Sequence, residues 1–463
     1  MLSKSPDTHP QTSLFGIVSQ LDQQHPLLAL GQAYDWAQLE SALAPFYSPK
    51  GRASKPIRLM SGLLMLKQLY NLSDEAVVGQ WTMNPYFQVF CGMREFHTQV
   101  PCHATELVKF RKRIGVEGVK QIFSQSVSLH GKASEEPTVL VDTTVQEKAI
   151  TYPTDSKLLI KIINRLNKLA KDQGIQQRRT YVKEVKSLRL ACRHFRHVKR
   201  RAKAKKALKR LRTIAGILMR ELQRTLPEGV LEQELERFAL YQRVIEQRRT
   251  DKNKVYSLHE SDVYCVGKGK DHKPYEYGRK ASVVCTKDSM VIVGVASHDK
   301  NEHDSKTLKA ALDSAKEHRD KPVKMAVVDR GYRGAKKHIS DEIEILLPAA
   351  PLKRDTPYQR QKKRLLCRRR AAIEPIIGHL KHDYRLSRNW LKGSEGDAVN
   401  LYMAACAWNL RKWMVVFFLL ENNHLVGVIL AEISINSFND HSGVPKIACF
   451  CFRTHYGDGF FQG

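Results

Sequence analysis

The stretch VKMAVVDRGYRG, residues 323 to 334, decides how this chain is read. Val323, Met325, Val327 and Val328 form a short apolar, largely β-branched run, the composition of a strand covered on both faces. The run stops at Asp329, and Gly331 follows as a turn residue. A carboxylate at the carboxyl end of a buried strand opens onto the edge of an α/β sheet where ligands bind. Taken alone, such an Asp can equally do no more than cap the next helix. A second stretch has the same shape: Thr138, Val139, Leu140 and Val141 end on Asp142, with Thr143 and Thr144 after it. The repeated setting is the signal.

Working outward, strand character appears again at Tyr275 to Cys285 and at Met290 to Ala296. Asp304 can cap a helix through Leu308, Ala311 and Ala315 that leads back to the Asp329 strand. The fold class is therefore α/β, with strands at 138–142, 275–285, 290–296 and 323–329. The glycine-rich VGKGKDHKPYEYG, residues 266 to 278, resembles a phosphate loop only loosely, lacks its spacing, and reads as at best a loop near DNA.

Residues 156 to 250 interrupt this pattern with an all-helical insertion. Four apolar stripes follow one another: Leu158, Ile162, Leu166 and Leu169; Val182, Val185, Leu188, Cys192 and Phe195; Leu208, Leu211, Ala215, Leu218 and Leu222; Leu231, Leu235, Phe238 and Val244. From Lys157 to Arg224 there are 23 Lys or Arg against the acids Asp172, Glu184 and Glu221. One sign dominates too heavily for a coiled-coil face of interleaved ion pairs. The insertion reads as a module laid along phosphates, with Lys199, Arg200, Arg201, Lys205 and Lys206 in its densest part.

Residues 1 to about 50 are polar and dotted with proline, and read as loosely ordered. Residues 51 to 130 read as a helical domain. Leu59, Leu63, Leu66 and Tyr70 share a helix face, Ser73 and Asp74 offer an N-cap to a second helix, and Asn84-Pro85 ends it. A third helix begins near Thr105, with Lys109, Arg111, Lys112 and Arg113 expected outward. Short helices ending in a basic one fit a helix-turn-helix-like DNA reader, although a generic bundle has the same spacing.

The whole chain supports a polyanionic partner. Its formal net charge of +30 over 463 residues indicates nucleic acid more readily than a membrane. Nine scattered cysteines without a CxxC pair fit reduced thiols rather than disulfides or zinc. The N-terminus lacks a signal-peptide segment, and the longest apolar run, Met414 to Ile429, is broken by Glu421, Asn422, Asn423 and His424. A cytoplasmic protein without membrane contact is expected.

A third acid stands out beyond Pro357, in RQKKRLLCRRRAAIEPIIGHLKHDYRLSRNW. Ile373, Ile376, Ile377 and Leu380 define a helical stripe, and Glu374 lies off it among cations. Pro375 requires the helix to begin or kink there. An acid so placed is either an ion-pair partner or a metal ligand. In-line attack on a phosphodiester needs both reacting oxygens held against divalent cations, and two ions ~3.5–4 Å apart achieve this. Mg²⁺ prefers carboxylate oxygens to His or Cys. Two Asp on adjacent strands and a Glu on a neighbouring helix can converge as such a cage, with Asp341 or Glu344 as substitutes for Glu374.

Together these residues resemble a known family. VDTT around Asp142, VVDRGYRG around Asp329, and the R-x3-E-x6-K formed by Arg370, Glu374 and Lys381 are similar to the bacterial insertion-sequence DDE transposases of the IS-five type, within the IS-four-like superfamily. Similar wording surrounds them in YPTDSKLL (152–159), YSLHESDVYCVGKGKDHKPYEYG (256–278), HDSKTL (303–308) and RNWLKGSEGDAVN (388–400). The resemblance implies a ribonuclease-H-like core over 131–413, interrupted by the insertion. Asp142 would lead the first strand, Asp329 the fourth, and Glu374 a following helix. It implies two divalent ions, Mg²⁺ or Mn²⁺, on these three acids, with phosphates near the scissile bond held by Arg370 and Lys381. The implied partners are double-stranded DNA, as terminal inverted repeats and target, and further copies of the chain in a nucleoid-associated complex. Two features depart from the pattern: Cys367 stands where the family has Tyr, and the tail 414–463, with its CFC at 449–451, is atypical. A catalytically silent DNA-binding protein and a nuclease without strand transfer remain as alternatives.

Overall fold

The computed structural model describes residues 16–435 except 196, 249, 270, 272, 341 and 349–354, with side chains described as far as 418. The CFC motif and Asp341 lie outside these residues. The chain to Val415 forms one compact unit, and the described part of a second unit continues as helix to Ile435.

Helices α1 (Pro26–Ala33) and α2 (Trp36–Leu43) occupy the segment expected to be loosely ordered. Leu27, Leu30, Leu39 and Leu43 are fully buried, so helical spacing of apolar residues outweighs the polar composition around them. They pack with α3 (Ile57–Leu69), α4 (Asp74–Met83), α5 (Pro85–Phe90) and α6 (Ala104–Ser128). Of the two cap candidates, Ser73 caps α4 by accepting from the Ala76 amide, and Asp74 is the first helical residue. Arg111, expected outward, is instead buried, where it meets Asp74 at 2.8 and 2.5 Å. Lys109, Lys112 and Arg113 are exposed. These helices share one continuous hydrophobic core with the sheet that follows.

The sheet begins with β1 (Thr138–Glu147), which runs five residues past Asp142 because Thr144, Val145 and Gln146 are also buried. The helical insertion follows as α7 (Asp155–Asp172), α8 (Val182–Cys192), α9 (Arg201–Thr225) and α10 (Glu228–Glu246). It has a separate core, with Leu159, Ile162, Leu166, Leu211, Leu218 and Leu222 buried together. Strands β2 (Tyr264–Gly267), β3 (Tyr275–Thr286) and β4 (Ile292–His298) return the chain to the sheet. The reading of 266–278 as a loop therefore missed the end of β2, a strand too short to show a period. Helix α11 (Asp304–Glu317) then crosses to β5 (Met325–Val327). Its cap is His303, with Asp304 the first helical residue. A Cβ on Gly294 would stand 2.6 Å from the Ala315 amide, so α11 rests directly on the β4 backbone.

Strand β6 (Glu344–Leu346) pairs with β5, giving the order β2-β3-β1-β5-β6, with β4 also on β3. β1 runs antiparallel to β3 and parallel to β5. Helices α12 (Pro357–Arg369) and α13 (Ile373–His382) are joined by a 3₁₀ turn at Arg370–Ala372, and α14 (Gly393–Ile435) closes the described chain. The break falls just before Glu374-Pro375, where a proline near a helix start costs no hydrogen bond. No helix among the described residues is long and apolar enough to cross a membrane.

Asp74 ties α4 to both α3 and α6, through Lys67 at 2.8 Å and Arg111 at 2.5 Å. Burial pushes its carboxyl up, but the two cations outweigh that and hold it at about 2. The folded value lies below the unfolded one, so this stabilisation is present above pH ~4 and disappears as pH falls through about 2. Asp74→Ala leaves two enclosed cations unpaired and should cost ~3–5 kcal/mol, measured by denaturant unfolding at neutral pH. A loss under ~1 kcal/mol would show that the cluster is solvated.

Candidate active site

The parallel register decides where the two strand acids lie. Leu140 faces Val327, so two residues further along each strand bring Asp142 level with Asp329. Adjacent strands are ~4.8 Å apart, so the two carboxylates leave the sheet side by side. Asp329 turns back to accept from the Gly331 amide at 2.9 Å. Asp142 accepts from the Thr143 amide at 2.7 Å.

Glu374 joins them from α13, which packs on β1. Arg370, one turn earlier, reaches Asp142 Oδ2 at 3.4 Å and Glu374 Oε1 at 3.2 Å. Burial raises the Asp142 carboxyl to about 6; the Thr143 amide and Arg370 oppose this, while Asp329 and Glu374 add to it. Both other acids therefore lie within electrostatic reach of Asp142. The donor set of carboxylate oxygens suits Mg²⁺ or Mn²⁺. The Arg370 guanidinium lies between two of the acids, the position of positive charge that a cation would otherwise supply. Among the described residues, no three His, Cys, Asp or Glu stand close enough to share one ion as the side chains are arranged.

The remaining expected residues divide. Lys381 is turned toward Glu276 at 3.1 Å and is mostly covered, so it meets a carboxylate where a phosphate was expected. Cys367 lines an open groove of about 960 Å³ with Arg330, Arg364, Arg368 and Arg370. Lys199, Arg200, Arg201, Lys205 and Lys206 are all exposed at the start of α9 and the turn before it. Glu344, the described substitute for Glu374, belongs to β6 and lines the same groove.

Comparison with known proteins places this geometry. Residues 17–113 match the model of a Transposase domain (DUF772), and residues 245–410 match that of a Transposase DDE domain. An uncharacterized protein, ORF8 in the nfe locus of Rhizobium meliloti, is 39% identical over 184 residues, covering 39% of this chain and 89% of that protein. The chain belongs to the DDE transposases. No solved structure matches it. A DDE domain implies a ribonuclease-H-like core, and the mixed sheet described above agrees. Asp329 and Glu374 fall inside the DDE match, whereas Asp142 lies before it, separated by the insertion.

One acid of this transposase escaped the sequence reading. Asp304 accepts from the Thr143 hydroxyl at 3.0 Å and from Lys280 Nζ at 3.0 Å. A Cβ placed on Gly331 would stand 3.0 Å from Asp329 Oδ1 and 3.1 Å from Asp304 Oδ2, so a larger residue would press on both carboxylates. Tyr332, fully buried, closes the floor, and burial followed by Asp142 and Asp304 raises its hydroxyl well above the usual range. The signal was present in HDSKTL, but a helix start accounts for an Asp equally well. As a prediction from these contacts, Asp304→Asn and Gly331→Ala should each slow DNA cleavage about ten- to a hundredfold, the usual cost of losing an outer support. Circular dichroism should stay unchanged. Cleavage at the unsubstituted rate in both would reduce Asp304 to a helix-end acid.

Proposed function

We propose that this transposase binds the terminal inverted repeats of its insertion sequence, cleaves the DNA there and joins the freed ends to target DNA. The observation that supports the reading is the level register of Asp142 and Asp329 on adjacent strands, with Arg370 linking Asp142 to Glu374, in a chain that matches a DDE domain. These three residues would hold the divalent ions that such enzymes use, which supply Lewis acidity to the phosphodiester. Water attacks the phosphorus at the element end, the bond to the 3′ oxygen breaks, and the freed 3′-hydroxyl then attacks a target phosphodiester. Asp142 and Asp329 are fixed by the sheet, whereas Glu374 on α13 completes the set from a separate element. Arg370, released from its acids, would meet a phosphate oxygen. Lys381 would do so only by exchanging Glu276 for the DNA.

Replacing Asp142, Asp329 or Glu374 with Ala should abolish Mg²⁺-dependent cleavage and leave DNA affinity largely intact. The assay is strand cleavage and joining on terminal-repeat duplex beside a scrambled duplex. Cleavage without joining would convert the reading to a nuclease, and binding without either to a silent DNA-binding protein. Normal cleavage by Glu374→Ala would remove Glu374 from the site.

The N-terminal helices, with Lys109, Lys112 and Arg113 outward, are the proposed readers of the element ends. A chain lacking preference for its own ends over scrambled duplex would exclude that role. The insertion is proposed to grip phosphates without reading bases. Each phosphate contact contributes about −0.9 to the slope of log K against log salt. Replacing Lys199, Arg200, Arg201, Lys205 and Lys206 with Gln should therefore flatten the slope by several units, with affinity falling alike for specific and random duplex. An unchanged slope with loss of oligomers would make the insertion a dimerising arm.

A further inference from the structure

Where the helical insertion meets the sheet, a cleft of about 680 Å³ opens between Tyr152, ahead of α7, and the first residues of α9. Its floor is apolar, with Leu158 from α7 and Leu208 from α9. One wall is aromatic. Tyr277 of β3 carries Tyr256 tilted against it at 5.2 Å and Tyr152 edge-on at 5.5 Å and 87°. Tyr256 and Tyr277 are half-buried and account for themselves as a seam between insertion and sheet. Tyr152 does not, because 53% of it is exposed although its ring is held in place by Tyr277.

The opposite wall is cationic. Arg201 and Lys205 stand exposed on successive turns of α9, and neither is tied into an ion pair among the described residues. Asp155, the acid among the residues lining the cleft, is already answered by Arg212 at 3.4 Å and Lys254 at 3.2 Å. The cleft therefore offers a flat ring, an apolar floor and unanswered positive charges, Arg201 and Lys205 among them. A double helix uses the charges alone, since its bases already stack on one another. An unpaired nucleotide uses all three, with its base on the ring and its flanking phosphates on the cations.

We infer that this cleft receives an unpaired nucleobase of the DNA, stacked on Tyr152 with its phosphates on Arg201 and Lys205. The inference rests on the reading of DNA as the substrate. The Lys148 amide bonds to the Tyr277 carbonyl at 3.0 Å, and Lys148 is six residues along from Asp142. At ~3.3 Å per residue the cleft lies ~20 Å from the carboxylates. That is about six nucleotide steps at ~3.4 Å each. The site is thus remote from the bond being cut and holds a strand that has opened away from it.

The test compares the full-length protein and its variants on two fluorescent probes, an oligothymidine of about 16 nucleotides and a blunt random duplex of equal length. The wild type should bind both. Tyr152→Ala should lower oligothymidine affinity about ten-fold or more, the worth of a lost stacked base, and leave duplex affinity unchanged. Tyr152→Trp should restore it. Because Tyr152 is half exposed, the variant should melt as the wild type does, and thermal unfolding checks this. Equal losses on both probes, or no loss on either, would overturn the inference while leaving the transposase reading in place. Wild-type protein that binds duplex but not oligothymidine would do the same. Protein that binds neither would overturn both.

Discussion

Leu140 and Val327 face each other across two parallel strands, and the two carboxylates stand two residues further on, where β5 ends while β1 continues in the sheet. A slip of one residue would turn one acid into the apolar interior. The fully buried Val139, Leu140, Val141, Ala326, Val327 and Val328 oppose such a slip, because every one of them would lose its place. The acids are thus held close by apolar burial on the strands that carry them, against their own repulsion. Arg370 and the Thr143 amide relieve part of that repulsion, and the remainder shows in the raised Asp142 carboxyl. A site strained in this electrostatic sense is poised for positive charge.

The N-terminal helices bear on the same arrangement. Phe123 of α6 packs edge-on against His318, just past α11, and against Tyr402 of α14. Asn409 of α14 receives the Ile292 amide at 2.9 Å and donates to the Ile292 carbonyl at 2.8 Å, so it extends the hydrogen bonding of β4 into the helical layer. With Ser126 of α6 also bonded to Asn409, the helices, α14 and the sheet meet at one buried amide. Separating residues 51–130 as an independent domain would cut through this core. Among the described residues, the separate core of the insertion shows no such ties to the N-terminal helices.

Much of this was legible because it depends on strong local patterns. The β-branched runs before Asp142 and Asp329, the four helices of the insertion and the Glu374-Pro375 break all lie within a few residues of the feature they specify, although Val182, Phe195 and Leu235 of the expected stripes are exposed and Phe195 lies beyond its helix. What escaped was either short or long-range. β2 and β6 have four and three residues, too few to show alternation. The far half of β1 hides Thr144 and Gln146 in the core, where polarity suggests a surface. Arg111 and Lys381 look like DNA contacts in a basic stretch, and only the fold brings Asp74 and Glu276 within reach of them. Asp304 lies 162 residues from Asp142 in sequence, and its partner Thr143 carries no mark of its own.

The stretch RNWLKGSEGDAVN, part of the family resemblance, turns out to serve geometry rather than chemistry. Asp397, fully buried, meets Lys148 at 3.1 Å and Arg279 at 3.1 Å, and Asn389 and Gln146 donate to it at 2.7 and 2.9 Å. Glu260 adds a second carboxylate to Lys148 at 3.2 Å. Burying such groups carries a desolvation cost that apolar residues of equal size would avoid. Their positions suggest what offsets it. Gln146 and Lys148 are at the far end of β1, where the insertion departs; Glu260 is where the chain returns from it; Arg279 is on β3; Asn389 and Asp397 follow the helix that bears Glu374. An apolar plug would bury the same area but would tolerate sliding. Directed charge pairs do not, so the exit and return of a 90-residue-scale insertion are pinned to the segment behind Glu374. In this way a large module can be inserted between the first and second core strands without disturbing the third carboxylate.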